Sequence, residues 1–396
     1  MTKQDIINQF NPNSAAPEDS DIFGLPFTTD EADIVLIPVP WEATVSYGSG
    51  ASLGPDAIME ASGQVDLNHF DYPELWKRGI AMDDFPEELL LLSTHAKQKA
   101  AKIIKAIEKG KDPLGSKKLI ANYELVNDAC EAMNDWVRER AAYWRKKGKM
   151  VGLVGGDHST PLGYLRHMAT EHSEFGLLVL DAHLDLRNAY EGFTYSHASI
   201  FYNALQQLPQ IKKLVQVGIR DFCSEETQYA ASQGRRVSIH YDRQMQRDVM
   251  GGKTWKQLFE EMIAELPQKV YVSIDIDGLD PKLCPNTGTP VPGGFEFEQA
   301  AYLLHLLKLS GKEIIGFDLC EVSPGADDWD GNVGARMLFQ LCGMAAPEIK
   351  AAAAPEKPAP KPAAKSAPKP AKPASKPTSK NKAKSEPSAG KKVSGK

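Results

Sequence analysis

Phe175-Gly176-Leu177-Leu178-Val179-Leu180-Asp181-Ala182-His183-Leu184-Asp185 is the stretch that decides how this chain folds. A continuous apolar run reads as a strand covered on both faces, which is the habit of parallel sheets. The run passes directly into two carboxylates and an imidazole. In an extended chain alternate side chains share a face, so Asp181, His183 and Asp185 are expected to point the same way at steps of two. Three ionisable groups in a row beside a buried strand are costly unless they are paired or hold a metal.

Two other strings repeat this design. Gly155-Gly156-Asp157-His158 follows the apolar run Met150–Val154, and Asp275-Ile276-Asp277 closes the run that begins at Val270. Together His158, Asp181, His183, Asp185, Asp275 and Asp277 supply four carboxylates and two imidazoles. One divalent ion needs fewer protein ligands, whereas two ions sharing bridging carboxylates use all six. Two such ions also cancel the negative charge of the set. Paired hard dications bring the pKa of water from nearly 16 towards neutrality and orient it for attack. The oxygen-rich, cysteine-free donor set favours Mn²⁺, with Ni²⁺ or iron also compatible with imidazole. Taken singly, each string has an ordinary reading: a helix N-cap at Asp157 or Ser159, or a strand ending in a turn at Asp275–Asp277. Their joint placement argues for a dinuclear hydrolase.

Working outward, Asp33–Pro38 reads as the first buried strand, and a Gly/Pro-rich loop from Val39 to Pro55 follows it. A loop of that length more often shapes a site than merely connects. Helical periodicity covers Pro86–Glu108 and Leu119–Lys147. Further strands are expected at Lys213–Gly218, Arg236–His240 and Glu313–Leu319. Helices are expected near Pro161–His172, His197–Leu208, Glu225–Gln233, Thr254–Leu266, Glu296–Lys308 and Gly331–Met344. This alternation predicts an α/β fold, a three-layer α/β/α sandwich around a mainly parallel sheet. Sites in such sheets form at the carboxyl ends of the strands, where all three ligand strings fall.

The organisation expected is an N-terminal arm over 1–32, a catalytic body over 33–345 and a disordered basic tail over 346–396. The formal net charge of −6 hides an asymmetry: after residue 350 there are twelve lysines against two glutamates, and before it 34 basic against 50 acidic side chains. The tail is rich in Lys, Ala, Pro and Ser and has too few large apolar groups to fold. Solubilising or tethering is its expected role, with at most weak polyanion binding and no sequence readout of nucleic acid. The five cysteines are scattered and form no C-x-x-C pair, which predicts reduced, mostly buried thiols. The first twenty residues lack an apolar core for export, and no stretch approaches the roughly 18 apolar residues of a membrane span. A soluble cytoplasmic protein is expected.

From about 33 to 345 the chain resembles the ureohydrolase family, which includes arginases, agmatinases and guanidinobutyrases. The strings that carry the resemblance are Gly155-Gly156-Asp157-His158-Ser159, Asp181-Ala182-His183-Leu184-Asp185, Ser273-Ile274-Asp275-Ile276-Asp277-Gly278-Leu279-Asp280-Pro281, Gly288-Thr289-Pro290 and Glu321-Val322-Ser323-Pro324. It implies a dimanganese site and hydrolysis of a guanidino group to urea and an amine. His158 and Asp185 would hold one metal, His183 and Asp277 the other, with Asp181 and Asp275 bridging. Glu321 matches the family glutamate that binds the guanidinium, a sensible role for a carboxylate facing a planar cation. His197 matches a loop histidine able to relay a proton to the leaving amine. The catalytic set implied is thus His197, Glu321 and Asp185. The substrate pocket is expected to draw on Glu321, His197, Thr289, Trp41 and Tyr195. The resemblance also implies homo-oligomers, trimers or hexamers.

The loop Arg187–Ser199 lacks the Ser/Asn-rich string with which arginases hold an α-carboxylate, so arginine is disfavoured. Its aromatic, acidic composition suits a cation without a carboxylate, agmatine first. The first-strand loop departs from ordinary agmatinases, reading Ser46-Tyr47-Gly48-Ser49-Gly50, with Trp41-Glu42 ahead of it. Those departures resemble an agmatinase-like branch that includes guanidine hydrolases, which keeps free guanidine open. Trp41, Tyr190, Phe193 and Tyr195 are expected to narrow the pocket through ring faces that favour positive charge. Asp221, Glu225 and Glu226 are candidates for a distal amine or simply a solvated helix start. A metallophosphoesterase would need a Gly-Asn-His string that is missing, related deacetylases need only one zinc, and a non-catalytic scaffold would be expected to have lost a ligand.

Overall fold

The computed structural model describes residues 1–17 and 20–346; most of the tail expected over 346–396 lies outside the described residues. Eight strands form: β1 (Ile34–Val39), β2 (Ile80–Met82), β3 (Met150–Gly155), β4 (Phe175–Leu180), β5 (Ile211–Ile219), β6 (Val237–Tyr241), β7 (Lys269–Asp275) and β8 (Glu313–Cys320). They make one sheet in the order β2-β1-β3-β8-β7-β4-β5-β6. Every pairing is parallel, so the sheet is wholly rather than mainly so.

Strand alternation divides the core into two. Leu178 and Leu180 of β4 join Ile34 and Leu36 on one face, under helices Trp255–Glu265, Phe297–Leu309 and Trp329–Ala345. Leu177 and Val179 join Val35 and Ile37 on the other, under Glu87–Glu108, Lys117–Lys146, Leu162–Glu171 and Ile200–Gln207. This is the three-layer architecture the apolar runs predict. Four cysteines are buried and all five are free. Among the described residues no helix is long and apolar enough to cross a membrane.

Three elements of the body have no counterpart in the sequence reading. β2 has three residues, too few for a pattern. Helix Gly54–Ser62 opens on Gly-Pro, but proline at the start of a helix loses no hydrogen bond that the helix would have made. Helix Asp242–Met250 buries only Asp242 and Met245, and Val249 one turn on is only partly buried, too short an apolar stripe to read from the sequence. The N-terminal segment is less irregular than its composition suggests. Lys3–Gln9 is a helix with a Thr2/Asp5 capping box. Ile22, Phe23, Leu25 and Phe27 are buried, with the Phe23 ring edge-on to Phe339 at 5.0 Å.

Candidate metal centre and active site

Sheet order sets β3, β8, β7 and β4 side by side, and their carboxyl ends deliver the site. After β3, Gly156 lies so close to the first-strand loop that a Cβ there would stand 1.9 Å from the Trp41 carbonyl oxygen. That approach lets Gly156 N–H donate to Val39 and Asp157 N–H to Trp41, both at 2.8 Å, which sets the position of His158. Asp157 is fully buried and accepts from Ser159 N–H at 3.0 Å, so it braces the turn.

His158 Nδ1 lies 3.0 Å from Asp181, 3.2 Å from Asp185 and 3.3 Å from Asp275. His183 Nδ1 lies 3.0 Å from Asp277 and 3.7 Å from Asp181. Asp181 therefore turns one oxygen towards each imidazole. The carboxylates are anchored by main chain: His183 N–H donates to Asp181 at 2.6 Å, Ala182 N–H to Asp277 at 3.0 Å and Asp277 N–H to Asp275 at 2.8 Å.

All six side chains converge, but not by strand alternation. β4 ends at Leu180, Asp185 has φ +51°, and Asp277 sits in a tight turn over Ile276–Gly278. The expectation that steps of two on an extended chain aim Asp181, His183 and Asp185 is corrected here: the chain curls after the strand and returns Asp185 to His158.

Electrostatics say what such a cage needs. Burial first, then the charges of Asp277 and Asp181, pushes Asp275 well above the carboxylate range. Burial and the neighbouring Asp181 raise Asp185 to about 7. Burial opposes the charge on Asp181, yet its hydrogen bonds and ion pairs with His158 and His183 outweigh it and hold the pKa down. His158 Nδ1 and Asp181 Oδ2 are buried and lack a well-aligned hydrogen-bond partner among the described residues, although they face each other. Carboxylates crowded in this way are stable with cations among them. Two overlapping triplets, His158/Asp181/Asp185 and Asp181/His183/Asp277, keep their donor atoms within 4.8 Å of one another, and share Asp181. The residues present fit a pair of divalent ions.

Above the cage opens a cavity of about 500 Å³. His183, Asp185, Asp275 and Glu321 reach it, with His197 and Thr289 on its walls. Glu321 is buried and has φ +65°, held by its N–H to Gly156 at 2.8 Å and by its carboxylate accepting from His158 N–H at 2.9 Å. Burial, followed by the Asp275 and Asp157 charges, raises its pKa well above the ordinary glutamate value. His197 Nδ1 is buried without a partner among the described residues. Burial, then the neighbouring His183 and His158, lowers its pKa to about 4. The Thr289 hydroxyl is 3.5 Å from Asp277.

Three expected pocket residues lie elsewhere. Trp41 is fully buried in the core and contributes its carbonyl to the turn after β3. Tyr195 packs under the Arg166 guanidinium at 5.6 Å, and Phe193 is buried against Tyr123. The Tyr195 and Phe193 rings are drawn away by cationic and aromatic neighbours behind the loop. Tyr190, the fourth of the expected rings, does line the cavity, joined by Tyr47, with Arg187 lying 5.0 Å over the Tyr190 ring. Asp221 and Glu226 also line it, and Glu225 does not. Glu226 is committed, accepting from Leu186 N–H at 3.1 Å and Cys223 N–H at 2.9 Å. Arg187 is the residue at the mouth that the sequence reading passed over; its place two residues beyond Asp185 was the available signal.

The family model of the arginase family matches residues 32–343, which spans the whole sheet and every ligand string. The chain belongs to the arginase family. Among its relatives, an N(1)-aminopropylagmatine ureohydrolase of Thermus thermophilus is 31% identical over 316 residues, covering 80% of this chain and 91% of that protein. An agmatinase of Pyrococcus horikoshii is 28% identical over 320 residues, covering 80% and 93%. Among solved structures, the proclavaminate amidino hydrolase of Streptomyces clavuligerus superposes with a TM-score of 0.63 at 23% identity, covering 84% of this chain and 99% of that one. As an arginase-family member whose relatives are ureohydrolases and amidinohydrolases, the chain is a hydrolase acting on C–N bonds, and metal dependence is the family's habit.

Proposed function

We propose that this arginase-family enzyme releases urea from a small guanidino cation, with agmatine as the substrate and putrescine as the other product. The observation that carries the reading is Glu321, a buried carboxylate reaching a cavity of about 500 Å³ beside His183, Asp185 and Asp275. In this reading His158 and Asp185 would hold one divalent ion and His183 and Asp277 the other, with Asp181 and Asp275 available to both. The oxygen-rich donor set favours manganese, and its imidazoles leave nickel as the alternative. When bound, the ion pair supplies a lowered pKa for water at neutral pH. Glu321 accepts hydrogen bonds from the planar guanidinium and fixes its carbon over the cage. Thr289 orients Asp277, and Asp185 both holds metal and borders the reacting group. His197, uncommitted at Nδ1, carries a proton to the departing amine.

At the mouth, exposed Asp221 suits the terminal ammonium of agmatine. A second reading, free guanidine, is favoured by Arg187 over Tyr190, since guanidine has no distal ammonium for Arg187 to repel. The same arginine would tolerate the carboxylate of guanidinobutyrate. With this function we place a homo-oligomer (trimer or hexamer) and a cytoplasmic location. The domain plan is an arm over 1–32, a catalytic body over 33–345 and a solubilising tail over 346–396. The test is urea release by the manganese- or nickel-loaded protein offered agmatine, guanidine, guanidinobutyrate and arginine side by side. Agmatine is expected to be turned over fastest; a preference for arginine overturns the reading of the mouth.

A further inference from the structure

We infer that Ser273 and Asp318 form a positioning relay that fixes the tautomer of His158 and so directs its Nδ1 lone pair into the metal cage. The inference rests on the dinuclear reading of that cage. Ser273 on β7 and Asp318 on β8 are register partners, and both are buried. Ser273 Oγ is 2.8 Å from Asp318 Oδ1 and 2.9 Å from His158 Nε2. A hydroxyl carries one proton. Given to the carboxylate, it leaves only a lone pair for the imidazole, so Nε2 must be the protonated nitrogen. In the neutral imidazole that binds a metal, Nδ1 is then the atom left with a free lone pair, and it is this atom that faces Asp181, Asp185 and Asp275 at 3.0 to 3.3 Å. Phe201, edge-on to the His158 ring at 5.2 Å, restrains its plane.

His158, Asp318 and Cys320 also converge closely enough to resemble a third metal triplet. The geometry assigns them otherwise. His158 spends Nε2 on Ser273, and the Cys320 thiol donates to Asp318 at 3.5 Å. The cluster is a hydrogen-bonded chain behind the cage. Such outer partners of a ligating histidine typically change metal affinity by about 10–100-fold when removed.

Asp318→Asn keeps the shape and removes the negative charge that draws the Ser273 proton. With that pull gone the hydroxyl is free to donate to His158 Nε2, which leaves the ring's own proton on Nδ1 inside the cage. Ser273→Ala removes the relay without reversing it, and Ser273→Thr retains the hydroxyl. Full-length protein is stripped with chelator and titrated with Mn²⁺ alone, ions per chain being counted by elemental analysis. Thermal unfolding of the stripped protein is followed in parallel. The wild type and Ser273→Thr are expected to take up two ions. Asp318→Asn and Ser273→Ala are expected to bind one of them about 10–100-fold more weakly, with the stripped proteins unfolding as the wild type does. Wild-type affinity for both ions in Asp318→Asn and Ser273→Ala overturns the relay alone. Failure of the wild type to take up two ions of either Mn²⁺ or, titrated in the same way, Ni²⁺ overturns the dinuclear reading together with it.

Discussion

Glu321 and Asp185 hold φ values of +65° and +51°, a region that side chains with a Cβ avoid at a cost of about 1–2 kcal/mol each. Strain of this kind persists only where neighbours impose it. For Glu321 those neighbours are Gly156 and His158, which bind its main chain and its carboxylate. The consequence is a buried acid aimed into the cavity with a second oxygen to offer. Glu321→Gln keeps the volume and loses the charge that a guanidinium requires. The expected result is a fall in kcat/KM of about 100-fold or more, with two ions still bound; wild-type urea release by this variant would remove Glu321 from the reaction. The six candidate ligands, and their meeting at one sheet edge, were legible because their chemistry is anomalous directly after apolar runs. The path by which Asp185 returns to His158 was not, since nothing in Asp181–Asp185 announces a left-handed residue. Trp41 and Tyr195 were misplaced because an aromatic ring in a loop reads alike whether it lines a cavity or packs behind it.

Among the elements, helix Leu162–Glu171 is the one that follows the His158 turn, and it lies against helix Lys117–Lys146. Their approach is closest at Gly163, where a Cβ would fall 2.1 Å from the Asn134 carbonyl oxygen. Backbone cannot yield there as a flexible side chain does. Gly163→Ala is therefore expected to destabilise the protein by about 3 kcal/mol, read as a lower urea midpoint at unchanged slope, and to loosen metal binding through the displaced His158 turn. An unaltered midpoint would show that the two helices slide freely. Long buried strands were legible from their apolar runs, and β4 has the bounds its sequence predicts. β2 was not, being pinned from outside: Asp21 of the N-terminal segment accepts from Met82 N–H at 3.0 Å. Helix Asp242–Met250 was missed because only two of its residues are buried and no side-chain cap marks its start, so neither periodicity nor capping announces it.

At the scale of the molecule, the parallel order β3-β8-β7-β4 sets four chain ends with ionisable groups against one another. Folding alone thus concentrates Asp181, Asp185, Asp275 and Asp277 where water cannot screen them, a cost that the unfolded chain does not bear. Ions that bind only the folded state return that cost by mass action, about 2.7 kcal/mol for each site at a free concentration 100 times its Kd. Two sites in a body of this size correspond to a rise in melting temperature on the order of 5–10 °C. Stripping the enzyme with chelator is therefore expected to abolish urea release and lower the melting temperature by that amount. Restoring Mn²⁺ should recover both together, along one concentration curve. An Asp181→Asn variant loses the carboxylate shared by both triplets, so its melting temperature should respond little to Mn²⁺. If chelator removed activity while leaving the melting temperature untouched in the wild type, the ions would be contributing to the reaction without relieving the buried charge, and the electrostatic account of the cage would fail.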